Sequence, residues 1–187
     1  MSVGFPRCKW IATCPGWYPP RTVSRILIAS TAPDFELEDH AGSKFRLRNS
    51  LGPGGTVLVF FRGHWCPYCR RYLGKLQSNL DRFARREVVL VGISPEPPGT
   101  SRALAEQMGL RFPLLSDPDG RVIDRYGTRN GFLTGRSVLP HPSVFIIGPG
   151  GDLRFKSIDR NYKKRTTMRT IFGVLDEARA GPTDQPA

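Results

Sequence analysis

Cys66-Pro67-Tyr68-Cys69 is the stretch whose residue types and spacing could do chemistry. Thr56 to Phe61 is an unbroken apolar, β-branched and aromatic run, the pattern of a strand buried on both faces. From Cys66 onward the period becomes helical, with Leu73, Leu76, Leu80 and Phe83 recurring between polar residues. The cysteines therefore sit where a buried strand hands over to a helix, and Pro67 suits a first helical turn that has no use for its N–H. Free backbone amides and the positive end of the helix dipole favour thiolate there, and Arg62, His64, Arg70 and Arg71 add positive charge. The spacing lets the second sulfur reach the first. A disulfide closing so small a ring restrains little chain, so it serves better as a reversible redox couple than as a staple. Half of a zinc site and a pair of inert core cysteines are the alternatives, and a strand-to-helix setting favours redox over both.

The flanking sequence supplies elements to hold this motif. Phe35-Glu36-Leu37 and Lys44-Phe45-Arg46-Leu47 alternate around His40-Ala41-Gly42-Ser43, which predicts a hairpin. Val88 to Ser94 reads as a second buried strand, so strand, helix and strand form a parallel βαβ unit. Thr100 or Ser101 is expected to cap a helix running to Met108. A short strand over Phe112 to Leu115, a turn at Asp117-Pro118-Asp119-Gly120 and a short helix over Val122 to Tyr126 follow. Thr128 to His141 reads as loop, and Ser143 to Ile147 with Leu153 to Ile158 as an antiparallel hairpin. Met168, Ile171, Leu175 and Ala178 mark one face of a final helix. The expected architecture is α/β: a central mixed sheet flanked by helices, opened by a hairpin, with the motif at the C-terminal end of a central parallel strand. Open α/β sheets carry their functional groups at that end.

With 187 residues, 39% of them hydrophobic, the chain can fill one domain. It is expected over residues 25–180, between an irregular Pro- and Gly-rich extension (1–24) and a short tail (181–187). The extension holds Cys8 and Cys14, read either as part of an irregular arm or as a source of a resolving cysteine. No run reaches the length of a membrane span, and Met1 to Ser30 lacks the continuous apolar core of a secretory signal. Four cysteines are few for a disulfide scaffold, so a reducing cytoplasm is the expected compartment. The net charge of +12 raises the question of nucleic acid, but the arginines are scattered and no recognition motif accompanies the densest cluster, Lys163-Lys164-Arg165. Solubility and attraction of anionic substrates account for the charge instead.

Across residues 31 to 178 the chain resembles the thioredoxin-fold peroxiredoxins, the alkyl hydroperoxide reductase/thiol-specific antioxidant family. The resemblance lies in Ala32-Pro33-Asp34-Phe35-Glu36-Leu37, the strand entering the cysteine motif, Phe112-Pro113-Leu114-Leu115-Ser116-Asp117, and Val144-Phe145-Ile146-Ile147 before a Gly turn. It implies a thioredoxin-like fold. Within the family's Pro-x-x-x-Thr-x-x-Cys pattern, Cys69 takes the peroxidatic position, while Cys66 stands at the threonine and Arg62 at the proline. The arginine usually found before the Phe-Ile-Ile strand falls near Pro142. The chain is thus similar to the subgroup in which Cys-x-x-Cys replaces Thr-x-x-Cys, and Arg62 or Arg136 are the candidates to take over the lost peroxide contacts. Cys-Pro-Tyr-Cys itself is similar to the glutaredoxin tetrapeptide. Pro142 matches the cis-proline that in thioredoxins faces the motif, which predicts a cis His141–Pro142 bond. Phe60 occupies the position of the thioredoxin buried acid, leaving His64 or His141 to move protons.

The resemblance implies a thiol-dependent antioxidant oxidoreductase cycling between a Cys66/Cys69 dithiol and disulfide. In a peroxidase, Cys69 would attack the O–O bond and Cys66 resolve the sulfenic acid; in a disulfide reductase, Cys66 would attack and Cys69 resolve. The substrate is then a hydroperoxide or a disulfide, and the reductant a thioredoxin- or glutathione-type thiol. No cofactor, specific nucleic acid or membrane partner is expected, and a homodimer is an open assembly. From outside enzymology, a module holding zinc or copper through Cys66, Cys69 and His64 is the competing reading, weakened by a missing fourth ligand.

Overall fold

The computed structural model describes residues 30–130 and 138–179. The expected arm with Cys8 and Cys14, the tail over 181–187 and Arg136 lie outside the described residues. β1 (Glu36–Asp39) and β2 (Lys44–Arg46) form the predicted hairpin, followed by a 3-10 turn at Leu47–Asn49. Then come β3 (Thr56–Phe60), α1 (Pro67–Ser78), α2 (Leu80–Ala84) and β4 (Val89–Ser94). The chain continues through α3 (Pro98–Met108), β5 (Leu114–Ser116), α4 (Arg121–Arg125), β6 (Ser143–Ile147), β7 (Leu153–Ile158) and α5 (Met168–Arg179). The strands make one mixed sheet in the order β2-β1-β5-β4-β3-β6-β7. β3, β4 and β5 run parallel, while β6 is antiparallel to β3 and β1 to β5.

Alternation along the strands divides the interior in two. Val57, Val59 and Phe61 face a core built with Tyr72, Leu73 and Leu76 of α1, Phe83 of α2, Leu104 of α3 and Ile171, Phe172 and Leu175 of α5. Leu58 and Phe60 face a second core closed by Phe35, Phe45 and Leu47 and by Val122, Ile123 and Tyr126 around α4. Both cysteines belong to the first core. Among the described residues no helix is long and apolar enough to cross a membrane.

Two local expectations differ. The single helix read from Leu73, Leu76, Leu80 and Phe83 is broken at Asn79, where Asn79 Nδ2 donates to the Lys75 carbonyl (2.8 Å) and Ser78 Oγ to that of Gly74 (2.9 Å). These side chains occupy carbonyls of the last turn, and the chain restarts as α2. Nor do Thr100 or Ser101 cap α3. The helix begins at Pro98, with Pro97 before it in extended conformation and no side-chain cap. A proline at the first helical position has no N–H to satisfy, so the start moves forward.

Candidate active site

β3 ends where the last sheet-like bond runs from Phe61 N–H to the Ile93 carbonyl (2.9 Å). The chain then turns over Gly63, whose φ of +148° suits glycine. Cys66 N–H donates back to the Gly63 carbonyl (3.3 Å), and Cys66 becomes the N-cap of α1 with Pro67 in the first turn. Cys69 lies one residue short of a full turn on, and both are free thiols, each 1% exposed.

The two sulfurs are treated differently. Burial pushes the Cys66 thiol up, but the Cys69 thiol, the amides of Cys69 and Tyr68 and the charge of Arg165 outweigh it, and its pKa lies below the ordinary thiol value. Those amides are the unsatisfied donors of a helix start. Burial also pushes Cys69 up, and its thiol, placed to donate to Cys66, is held there in the protonated form. The Arg62 backbone amide and Arg165 work against this shift without cancelling it. Arg165 Nη2 lies 3.2 Å from Cys69 Sγ. Its other nitrogen, Nη1, donates to the carbonyls of Tyr162 (2.7 Å) and Lys164 (2.6 Å). The loop is pinned from α1, where Tyr72 Oη donates to the Thr166 carbonyl (2.9 Å).

His64 is engaged by a residue the sequence reading missed. Glu96, buried just beyond β4, accepts from His64 N–H (2.8 Å) and pairs through its second oxygen with His64 Nδ1. If Nδ1 carries the proton, the neutral ring keeps its acceptor at Nε2. A groove of about 520 Å³ opens beside His64, lined on the α3 side by Thr100, Ala103, Leu104 and Gln107. His141 stays in the field of the site, its pKa lowered by burial and by the charges of Arg160 and Arg62. Glu96 could be suspected only from its place after a parallel strand, and Arg165 only as part of a basic cluster. Among the described residues no three His, Cys, Asp or Glu side chains converge as a metal set, and His64 is turned to Glu96.

Pro142 heads β6 beside the Phe60–Ser143 pair, but its expected cis bond is corrected: no cis peptide occurs among the described residues. The neighbouring backbone is already satisfied. His141 N–H donates to the Thr128 carbonyl (2.7 Å), the His141 carbonyl accepts from Ser143 Oγ (2.8 Å), and the Pro142 carbonyl accepts from Asp159 N–H (2.9 Å). The bond takes the intrinsically favoured trans form.

Residues 28–156 match the AhpC/TSA family model. The chain belongs to the AhpC/TSA family. Alkyl hydroperoxide reductase E of Mycobacterium tuberculosis is 33% identical over 130 residues, which are 68% of this chain and 82% of that protein. The thiol-disulfide oxidoreductase ResA of Geobacillus thermodenitrificans is 30% identical over 130 residues, covering 69% and 68% of the two chains. Among solved structures, the peroxidoxin BcpB of Mycobacterium tuberculosis superposes with a TM-score of 0.70 at 26% identity, covering 83% of this chain and 98% of that one. This AhpC/TSA member is accordingly a peroxiredoxin-like protein of thioredoxin fold and a thiol-dependent oxidoreductase.

Proposed function

We propose that this protein reduces hydroperoxides through a Cys66/Cys69 dithiol–disulfide cycle in which Cys66 is the attacking sulfur. The observation that carries this is the contrast between the pair: Cys66 is held toward thiolate, whereas Cys69 is deeper, protonated and beside Arg165. The assignment is the reverse of the one implied by the family position of Cys69. Cys66 thiolate attacks the terminal oxygen of the hydroperoxide, the O–O bond breaks, and the departing alkoxide takes a proton from the Cys69 thiol or from water. Cys66 is then a sulfenic acid. Cys69, as thiolate stabilised by Arg165 and the Arg62 amide, attacks it and expels hydroxide to form the disulfide. A thioredoxin-type dithiol restores both thiols with two electrons. A reducing compartment such as the cytoplasm suits a cycle whose pair must return to two thiols.

Single substitutions separate the roles. Cys66→Ser is expected to lose peroxide reduction entirely, whereas Cys69→Ser should release one equivalent of alcohol and stop at a sulfenic acid that dimedone captures. The reverse pattern would return the attack to Cys69. The same site favours disulfide exchange too, since a lowered nucleophile pKa serves both reactions and one relative is a thiol-disulfide oxidoreductase. In that reading Cys69→Ser accumulates a mixed disulfide with a protein substrate and consumes no peroxide.

A further inference from the structure

The proposed cycle accounts for the Arg62 backbone but leaves its side chain without a task. The guanidinium packs against two rings, with its central carbon 4.8 Å from the Trp65 centroid and 5.0 Å from that of Tyr162. These two aromatics, 50% and 43% exposed, are the exposed large hydrophobic residues among those described, so the apolar surface of this face is gathered on one cation. Tyr68 extends the cluster, meeting Tyr162 edge-on at 5.7 Å. Such packing fixes a guanidinium without using its hydrogen-bonding edge.

That edge is unused. Arg62 Nε is buried with no acceptor, and no ion pair or side-chain hydrogen bond of Arg62 occurs among the described residues. Buried donors are ordinarily paired, so a guanidinium held by two rings with no protein acceptor keeps hydrogen-bonding capacity that a ligand can use. The nearby acid Glu96 is committed to His64. The local field is positive, since Arg62 and Arg160 both act on His141 and Arg165 touches Cys69.

We infer that Arg62 is the carboxylate-binding residue for the organic molecule that exchanges electrons with Cys66, with Trp65 and Tyr162 as walls for the apolar part of that molecule. The inference rests on the reading of Cys66 as the reactive sulfur. A planar guanidinium edge fits a carboxylate in two-point fashion, and the stacking keeps the fork in place before the ligand comes. The carboxylate can belong to either reactant. A thiol reductant attacks the Cys66 sulfur of the disulfide and displaces Cys69 as thiolate; a second thiol then releases Cys66 and leaves as organic disulfide. A carboxylated hydroperoxide reacts at Cys66 thiolate as above.

Iodoacetate and iodoacetamide provide the test, because they alkylate the same thiolate with loss of iodide and differ in charge. Second-order rate constants at Cys66 of the full reduced chain are measured by mass spectrometry. The iodoacetate/iodoacetamide ratio is expected to fall about tenfold in Arg62→Gln, the scale of one charge-assisted contact. In Arg62→Lys it should fall less, and in Lys164→Gln it should stay within about twofold. Using a ratio within each variant cancels changes in folding or in thiol ionisation. An unchanged ratio in Arg62→Gln, or an equal fall in Lys164→Gln, overturns the inference. If Cys66 reacts with neither reagent, the functional reading itself fails, and this inference with it. Two further pairs locate the carboxylate: glutathione against its diethyl ester as reductant, and linoleic acid hydroperoxide against its methyl ester as oxidant. An Arg62-dependent preference for the acid in one pair assigns the reactant; no preference in either overturns the proposal.

Discussion

Cys66 and Cys69 are the same residue type, three positions apart, and the backbone makes them unequal. Cys66 faces helix-start amides, whereas Cys69 is sunk into the core beneath it and answers to Arg165. Thiolate is the reactive form, so a lowered Cys66 pKa keeps the reaction going to lower pH than for a free cysteine. The iodoacetamide rate at Cys66 is expected to fall only as pH drops through a midpoint below that of an unstructured cysteine peptide measured alongside. A midpoint at or above the peptide's would contradict the assignment. Arg165→Gln removes the cation from Cys69 and pushes that thiol further up. Closure of the disulfide from the sulfenic acid should then slow by about tenfold, as one charge-assisted hydrogen bond would give. Stopped-flow fluorescence after mixing the reduced enzyme with hydroperoxide measures that step, and an unchanged rate would show that Arg165 only packs.

Among the elements, the turn from β3 to α1 carries the greatest demand. A Cβ added at Gly63 would stand 2.7 Å from Trp65 Nε1 and 2.8 Å from Glu96 Oε1, on a backbone with φ of +148°. Gly63→Ala is expected to cost about 1–3 kcal/mol in urea unfolding and to slow Cys66 alkylation, since the Glu96 clamp on His64 must shift. Much of this architecture was legible. Alternation around Phe35 and Phe45 gave away the hairpin, the run Thr56 to Phe61 the buried strand, and the change of period at Cys66 the start of α1. What was illegible depends on contacts made elsewhere. The apolar spacing continues through Asn79, so only side chains folding back onto Gly74 and Lys75 carbonyls reveal the break. Glu96 looks like a solvent-facing residue among prolines until β4 is placed beside β3. Arg165 stands 96 positions from Cys69 and is returned to it by the β6–β7 hairpin and the Tyr72 anchor. The bond before Pro142 has the ordinary trans form, which a position match to the thioredoxin proline cannot tell from cis.

At the scale of the whole molecule, the sheet separates the packing that governs the thiols from packing that only supports the fold. Both cysteines are 1% exposed, so reaction with any reagent requires local opening on their own face of the sheet. That face is held by α1, α2 and α5, with Phe83 against Phe172 at 4.8 Å and Arg86 bridging to Asp176 at 2.7 Å. The hairpin and α4 close the other face, where Phe35 lies 6.2 Å from Phe45. Leu76→Ala, at a fully buried site in the cysteine core, and Phe45→Ala, at 9% exposure in the other, should each destabilise by about 2–5 kcal/mol. Their effects on chemistry should diverge. Under conditions where both variants remain folded, Leu76→Ala loosens the packing directly beneath α1 and is expected to raise the iodoacetamide rate at Cys66. Phe45→Ala leaves those contacts intact and should keep the wild-type rate. Urea midpoints and alkylation rates measured on the same samples decide the matter: a rate change in Phe45→Ala as large as in Leu76→Ala would mean that the thiols open only with the whole domain.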